Sequence, residues 1–226
     1  MDKIFTNNNI ISYNGYLDIF DKINFNSEGS NNKIEISEKS NIADLIVNFY
    51  CNNSYVYIGQ YGNIKVNLQI GEDCKVIIKD HVYFTNRSFI SVAEGTSVEI
   101  GNNCMIASKV TFRTNDAHCI FDVESGNRLN KSKNILLEDH CWICENVLIS
   151  KGTHIRSGSV IGYGSFVSSE IPNNVIAAGI PARIIKKNIA WEAPHLIYTK
   201  PFYKNDISCI KKNDKYWKKT KVIYEV

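Results

Sequence analysis

One histidine, His118, lies in the long segment where the residue pattern of this chain breaks, and its imidazole could act as a general base. An imidazole titrates near neutrality, so it can take the proton from a weak nucleophile such as a hydroxyl group during attack. Asp116 lies two residues earlier and could orient the ring through its second nitrogen, although a backbone carbonyl would serve equally well. The alternative is a satisfied surface-loop histidine that takes no part in chemistry.

The other histidines and the cysteines lack the spacing of a metal or redox site. We expect the remaining histidines to be structural or exposed; they are His81, His140, His154 and His195. The seven cysteines include one CxxC, at Cys141 and Cys144, without a second pair beside it. Cysteines in aliphatic or repeat runs are predicted to be packing residues, and these are Cys51, Cys74, Cys104 and Cys141. The sequence therefore predicts no bound metal.

The elements that must position His118 are indicated by a repeat of six residues. An aliphatic residue returns at Leu137, Ile143, Ile149, Ile155, Ile161 and Val167. This period fits neither a helix of 3.6 residues per turn nor an alternating strand, and it indicates short strands stacked in a β-solenoid. Two positions before each later aliphatic residue stands a residue suited to a corner interior, namely Cys141, Val147, Thr153, Ser159 and Ser165.

A second six-residue frame runs upstream from Ile58 to Phe112, with an interruption at Ser88 and Glu94. Fainter matches place the start of the stack near residue 33, so residues 1–32 are predicted to form a cap or arm outside it. A prism with six residues per face advances one strand spacing, about 4.8 Å, per turn of about 18 residues. About seven coils are therefore expected.

The segment 113–135 breaks the repeat and is predicted to be a loop thrown out from one corner of the solenoid. The rest of the column is stiff and regular, so function is expected where the pattern breaks.

Residues 188–226 differ in composition, because they are aromatic and rich in lysine. We expect them to fold back as a terminal strand or helix that shields the open edge of the solenoid. The predicted fold is all-β: a triangular solenoid over 33–187, with short terminal additions.

The bulk composition excludes few functions. A net charge of +3 is too small to require nucleic acid as a partner, and a hydrophobic content of 44% is ample for a core. The N-terminus does not resemble a signal peptide, and no apolar run approaches the roughly 18 to 20 residues of a membrane span. We expect a cytoplasmic protein without membrane insertion.

Two stretches make the pattern recognisable: VEIGNNCMIASKVTFRTNDAH, and LLEDHCWICENVLISKGTHIRSGSVIGYGSFVSSEIPNNVIAAGIPARII. Residues 92–187 resemble the hexapeptide-repeat acyltransferases, which fold as left-handed parallel β-helices. Within that group the chain is most similar to bacterial sugar O-acetyltransferases, including the galactoside and maltose enzymes and those that modify sialic-acid or other capsular polysaccharides. The left hand is implied by the resemblance alone, because the general crossover rule favours the other hand.

The resemblance implies acetyl-CoA as the acyl donor and a homotrimer whose active sites lie in the grooves between neighbouring columns. It implies that His118, in the NDAH motif, is the catalytic base and that Trp142, at the family spacing downstream in DHCWI, lies beside the acetyl thioester. Trp142 would then act as a flat apolar wall, or as an indole N–H donor, while the alternative is a packing anchor between subunits. The resemblance adds coenzyme-binding positions, which are Gly162, Tyr163, Ser168, Ser169, Arg183 and Lys186.

The chain departs from the family pattern beside Trp142, where Cys144 and Glu145 replace a glycine and a small residue, and at Tyr163, which replaces an alanine in many relatives. The expected activity is O-acetylation of a bacterial surface polysaccharide or its precursor, with Arg113 and Arg128 reading acceptor carboxylates. An enzymatic alternative is N-acetylation of an amino-sugar nucleotide. A non-catalytic scaffold or ice-binding solenoid is a third, but the outward positions lack ranks of threonine.

Overall fold

The chain forms a column of three mostly parallel β-sheets in a computed structural model, which describes residues 2–13, 15 and 19–221. The end of the predicted C-terminal extension, 222–226, and five positions within 1–18 lie outside the described residues. Sheet A contains β1 (Asp2–Ile4), β2 (Ile10–Tyr13), β4 (Lys33–Ile36), β6 (Tyr55–Ile58), β8 (Lys75–Ile78), β11 (Ser97–Ile100), β14 (Ile135–Leu137) and β17 (His154–Ile155). Sheet B contains β3 (Ile23–Ser27), β5 (Ile42–Phe49), β7 (Ile64–Ile70), β10 (Ser88–Val92), β13 (Thr111–Arg113), β16 (Leu148–Ser150) and β19 (Phe166–Val167). Sheet C contains β9 (Tyr83–Phe84), β12 (Met105–Ile106), β15 (Trp142–Ile143), β18 (Val160–Ile161), β20 (Val175–Gly179) and β21 (Ala182–Lys187).

Helical structure in the described part of the chain is limited to three short 3-10 turns, at Thr6–Asn8, Phe20–Lys22 and Ile207–Cys209. Among these residues, no helix has the length and apolar character needed to cross a membrane. The predicted all-β solenoid of about seven coils is confirmed.

The six-residue repeat fills the interior of the column as predicted. The aliphatic positions from Leu137 to Val167 are fully buried, and so are the small residues that precede them. The polar members of the second set donate their hydroxyl hydrogens to backbone carbonyls: Thr153 to Val167 at 3.1 Å, and Ser159 to Pro172 at 2.6 Å. Each buried hydroxyl is therefore satisfied, which removes the main cost of placing it in a core.

The predicted length of a coil holds only downstream of the loop. The pairing of Leu137 with Ile155 matches three faces of six residues, whereas the pairing of Ile34 with Val56 closes a longer coil. The longer coils turn through corners whose residues adopt a left-handed backbone, including Asn31, Asn53 and Asp73. Asparagine and aspartate tolerate that conformation, so these corners accept extra residues while the strands keep their register.

The stack begins earlier than the predicted boundary at residue 33. Strand β2 pairs in parallel with β4, and β3 pairs in parallel with β5, so strands of sheets A and B already precede that point. The aliphatic signal is weak there because asparagine amides fill the corner. The Asn32 amide donates to the Asn9 side chain at 3.0 Å and to the Cys51 carbonyl at 2.9 Å. The strands at Ile10–Tyr13 and Ile23–Ser27 thus belong to the column, which corrects the prediction that residues 1–32 form a cap or arm outside it.

The loop that carries His118 leaves the column at the corner between sheets B and A. It runs from the end of β13 to the start of β14, as predicted. Val98 pairs with Ile135 across this interruption, although the whole loop lies between them in the sequence. The column therefore closes beneath the loop without a break in the ladder.

The C-terminal extension forms neither the terminal strand nor the regular helix that the sequence suggested, within residues 188–221. Strand β21 covers the edge of sheet C instead, where it pairs antiparallel with β20. The extension then lies along the outside of the column and is held by side chains. Trp191 and Tyr216 stack on opposite sides of His140, with ring centroids 4.1 and 4.2 Å away.

Burial in this stack lowers the pKa of His140 from its ordinary value of 6.5. When the extension undocks, His140 is exposed and binds a proton more readily, so docking loses stability as the pH falls through about 6.5 toward the lowered value. We expect tryptophan fluorescence to report undocking in that range. His140→Asn, which suits the positive φ of this position, should abolish the pH dependence; a dependence that persists in this variant would contradict the assignment.

Candidate active site

His118 lies exposed in the loop between β13 and β14, outside the rigid column. Its backbone N–H donates to the Asp116 carbonyl at 2.8 Å, which closes a tight turn around Ala117. Ala117 adopts φ +65°. His118 is exposed, so a substrate can reach its side chain.

Asp116 lies near His118 but is engaged elsewhere. Its carboxylate accepts hydrogen bonds from the Lys151 ammonium group and, at 3.0 Å, from the Asn130 amide. The hydrogen bond from Lys151 is the main cause that lowers the Asp116 pKa, so the group is an anion at neutral pH. Within the described residues, no hydrogen bond joins Asp116 to the His118 ring. The structure therefore brings the two residues into one turn without the ring contact that the sequence suggested.

Asn130 and Lys151 were missed by the sequence analysis. Asn130 is one of many asparagines in the chain, and Lys151 lies at a corner one coil further on, so neither carries a local signal. Their roles depend on contacts that only the folded loop creates.

The two arginines expected to read acceptor carboxylates have different surroundings. Both terminal nitrogens of Arg128 donate to the Glu94 carboxylate, which also accepts from Ser132. These hydrogen bonds lower the Glu94 pKa to about 2, with the Arg128 contact contributing most. An acceptor carboxylate would have to compete with Glu94. Arg113 lies over the Phe89 ring, and its Nε atom is buried without a hydrogen-bond partner.

Trp142 lies on the outer face of sheet C and is 37% exposed. It pairs with Met105 of the preceding coil, and its ring centroid lies 5.8 Å from that of Trp191 in the C-terminal extension. Together with segment 191–197, these residues line a cavity of about 440 Å³. Trp191 is fixed there because its indole N–H donates to the His140 carbonyl at 3.0 Å. Trp142 thus forms one wall of this largely apolar cavity.

His118 and Trp142 lie on opposite sides of the column. From β8 onward the coils run from sheet A to sheet C to sheet B, so the loop emerges at the corner between B and A, and sheet C is the face opposite that corner. The loop's polar contacts to the column, through Glu94 and Lys151, are at this same corner. Within a single chain the fold therefore does not bring His118 to Trp142.

The predicted coenzyme positions also fall on more than one surface. Gly162 and Tyr163 follow β18 at the corner between sheets C and B, whereas Ser168 and Ser169 follow β19 at the corner that carries the loop. Arg183 and Lys186 are exposed on β21 at the edge of sheet C. Tyr163 is 70% exposed, and its hydroxyl accepts from Asn146 at 2.7 Å.

Gly162 has a packing role of its own. A Cβ atom at this position would lie 2.8 Å from the Cβ atom of Ala178 on the next coil. A larger residue would push the strands apart, so the glycine is needed whether or not a ligand approaches it.

The cysteines next to Trp142 differ in their surroundings. Cys141 faces the core, and burial raises its thiol pKa well above the ordinary value, whereas Cys144 is half-buried outside it and its pKa is also raised by burial. Neither cysteine of the CxxC pair has the lowered pKa of a reactive thiolate. The predicted packing role is confirmed for the three buried cysteines, Cys74, Cys104 and Cys141, whereas Cys51 is only half-buried.

The chain is similar in sequence to known O-acetyltransferases. No protein-family model matches the chain. The chain is 41% identical over 137 residues to the polysialic acid O-acetyltransferase of Escherichia coli O1:K1, covering 61% of this chain and 44% of that protein. It is 32% identical to the polysialic acid O-acetyltransferase of Neisseria meningitidis, covering 72% of this chain and 76% of that one. The chain thus spans less than half of the Escherichia coli protein's length.

A solved structure confirms the fold. The crystal structure of the polySia specific acetyltransferase NeuO superimposes with a TM-score of 0.72 at 35% identity, over 82% of this chain and 78% of that chain. The polysialic acid O-acetyltransferase OatWY gives the same TM-score at 25% identity, over 84% and 91%. The column is thus the left-handed parallel β-helix that the resemblance implied. The chain belongs to the hexapeptide-repeat O-acetyltransferases.

Proposed function

We propose that this protein moves an acetyl group from acetyl-CoA to a hydroxyl of a polysialic acid or a related surface polysaccharide. The proposal is supported by relatives named as polysialic acid O-acetyltransferases. The observation that carries it is the placement of an exposed imidazole and an exposed tryptophan on opposite sides of one column. A ring of three columns sets the His118 corner of one subunit against sheet C of the next, and each cleft then holds one of each.

Exposed apolar residues on the loop support such an assembly. Side chains near its tip lie in solvent although they are large and hydrophobic: Val123 is 98% exposed and Leu129 is 64% exposed. The cavity beside Trp142 is lined by further exposed residues, Leu196 and Ile197. Apolar surfaces of this kind are typical of protein interfaces. A neighbouring subunit would cover both.

In the proposed reaction, an imidazole nitrogen of His118 takes the proton of the acceptor hydroxyl as its oxygen attacks the thioester carbon. The tetrahedral intermediate collapses, the carbon–sulfur bond breaks, and the imidazolium returns the proton to the departing thiolate. The products are an acetyl ester and coenzyme A with a free thiol. Trp142 provides the apolar wall that excludes water from the thioester, and backbone N–H groups of a corner supply the oxyanion contact.

The remaining coenzyme contacts are proposed along the same cleft. Arg183 and Lys186 are exposed cations that suit the phosphates of the nucleotide end. Ser168 and Ser169 lie at the loop corner, so they would act in the cleft on the His118 side, while Gly162 and Tyr163 would act from another corner. The extended pantetheine arm carries amides that can pair with exposed backbone groups.

The test is an acetyl-transfer assay on the purified protein with two readouts. Release of free thiol from acetyl-CoA shows turnover, and mass spectrometry of the glycan shows the gain of an acetyl group. Polysialic acid is compared with an amino-sugar nucleotide. Alkali-labile acetylation of the polymer supports the proposal, whereas transfer only to the amine supports N-acetylation. No thiol release with any acceptor would contradict an enzymatic role.

Added salt is expected to raise the Michaelis constant for an anionic polymer. The chain carries a net charge of +3, and several lysines lie in its C-terminal extension, so electrostatic attraction would lower the Michaelis constant at low ionic strength. We expect the Michaelis constant for polysialic acid to rise with salt while that for a neutral sugar hydroxyl changes little. A flat salt dependence for the polymer would show that long-range attraction does not contribute.

A further inference from the structure

The exposed loop that carries His118 is organised around one buried amide, that of Asn130, which is only 8% exposed. Its Nδ2 atom donates to the His118 carbonyl at 2.8 Å and to the Asp116 carboxylate at 3.0 Å. Its Oδ1 atom accepts from the backbone N–H of Ile120 at 2.8 Å. One side chain therefore fixes the chain immediately before, at and after the histidine.

The segment that Asn130 fixes is strained. Ala117 adopts φ +65°, a left-handed conformation that a residue with a Cβ atom enters at a cost. The hydrogen bond from His118 N–H to the Asp116 carbonyl spans only one residue, and the Asn115 side chain accepts from the Ala117 N–H at 3.1 Å. Such a turn persists only when its surroundings hold it. Asn130 supplies that restraint from within the loop.

Lys151 connects this arrangement to the rigid column. It lies between β16 and β17, and its side chain is 19% exposed. Its ammonium group donates to the Asp116 carboxylate and, at 3.1 Å, to the Asn130 backbone carbonyl. The cation thus contacts both ends of the segment that contains His118, and it does so from a corner whose backbone is fixed by the neighbouring strands.

We infer that Asn130 and Lys151 are positioning residues, which hold the turn at Ala117 and so direct the His118 imidazole toward the thioester in the intersubunit cleft. The inference rests on the proposed role of His118. Asp116 belongs to the same arrangement: it acts on the loop through Asn130 and Lys151, not on the imidazole directly. A base held this way meets the acceptor in a productive orientation without rearrangement of the loop.

The test measures kcat and KM separately in four variants. Asn130→Ala and Lys151→Met are expected to lower kcat by about 10- to 100-fold because the imidazole loses its orientation. The KM for acetyl-CoA should change by no more than about twofold, since neither side chain belongs to the proposed coenzyme contacts. Lys151→Arg, which can still donate to Asp116, should recover most of kcat. Lys133→Met, which removes an exposed lysine from the same loop, is the matched control and should behave as wild type.

Three further measurements separate the possible failures. If His118→Asn is inactive while Asn130→Ala and Lys151→Met keep full kcat, only the positioning inference is overturned; if His118→Asn is active, the proposed base itself is wrong. Adding Lys151→Met to His118→Asn should cause no further loss, because both act through one group. A lower Tm or loss of the trimer in Lys151→Met, with kcat per trimer unchanged, would assign Lys151 to stability and overturn the inference.

Discussion

Replacing His118 with asparagine is expected to lower kcat by about 100- to 10,000-fold, the range that a positioned general base contributes. Asparagine is close to histidine in size, but its amide cannot take a proton at neutral pH. The exposed position of His118 means that the core loses no packing, so the Tm should stay at the wild-type value. The measurement is thiol release from acetyl-CoA under saturating polysialic acid.

The matched control is the same substitution at His81. His81 is exposed, lies far along the sequence from the loop and has a left-handed backbone that asparagine accepts. We expect His81→Asn to keep wild-type turnover and wild-type pH dependence. Turnover in His118→Asn equal to that of His81→Asn would refute the proposed mechanism, since no other residue has been assigned to remove the hydroxyl proton.

The six-residue period predicted the interior of the column because burial acts on every repeat in the same way. An inward side chain meets its equivalents on the coils above and below, so Ile143, Ile149 and Ile155 each occupy the same kind of site and the same residue type recurs. The loop was predictable for the complementary reason. A segment free of that constraint loses the period, and the interruption marks where the chain leaves the column.

The features that the sequence did not reveal are those held by contacts between distant residues of ordinary type. Asn9 and Asn32 extend the stack toward the N-terminus through amide hydrogen bonds, which leave no hydrophobic period. Trp191 and Tyr216 hold the C-terminal extension by stacking on His140, although both lie far from it along the chain. A periodic pattern reveals residues that occupy equivalent environments in successive coils. These residues contact one another only once each, so they leave no period in the sequence.

The relation between His118 and Trp142 depends on the sequence for their identity and on the structure for their relative position. The resemblance to the hexapeptide-repeat acyltransferases implied that the two residues act together. The sheet order shows that the loop and sheet C lie on opposite sides of the triangle, so one subunit cannot supply both to one site. The departures at Cys144 and Glu145 lie next to Trp142 and would therefore act in the cleft on the tryptophan side. In the proposed trimer the catalytic unit is an interface, and its two halves can be inactivated in different subunits.

We therefore expect two inactive variants to restore activity when they share a trimer. His118→Asn lacks the base, and Trp142→Ala is expected to lose about 100-fold in kcat because the thioester is misplaced. Co-expression with different affinity tags and purification through both gives mixed trimers. Each mixed trimer sets an intact loop beside an intact Trp142 at one of its three interfaces, so about a third of wild-type activity should return. A mixed preparation no more active than its two parents would place both residues in one subunit's site and refute the composite cleft.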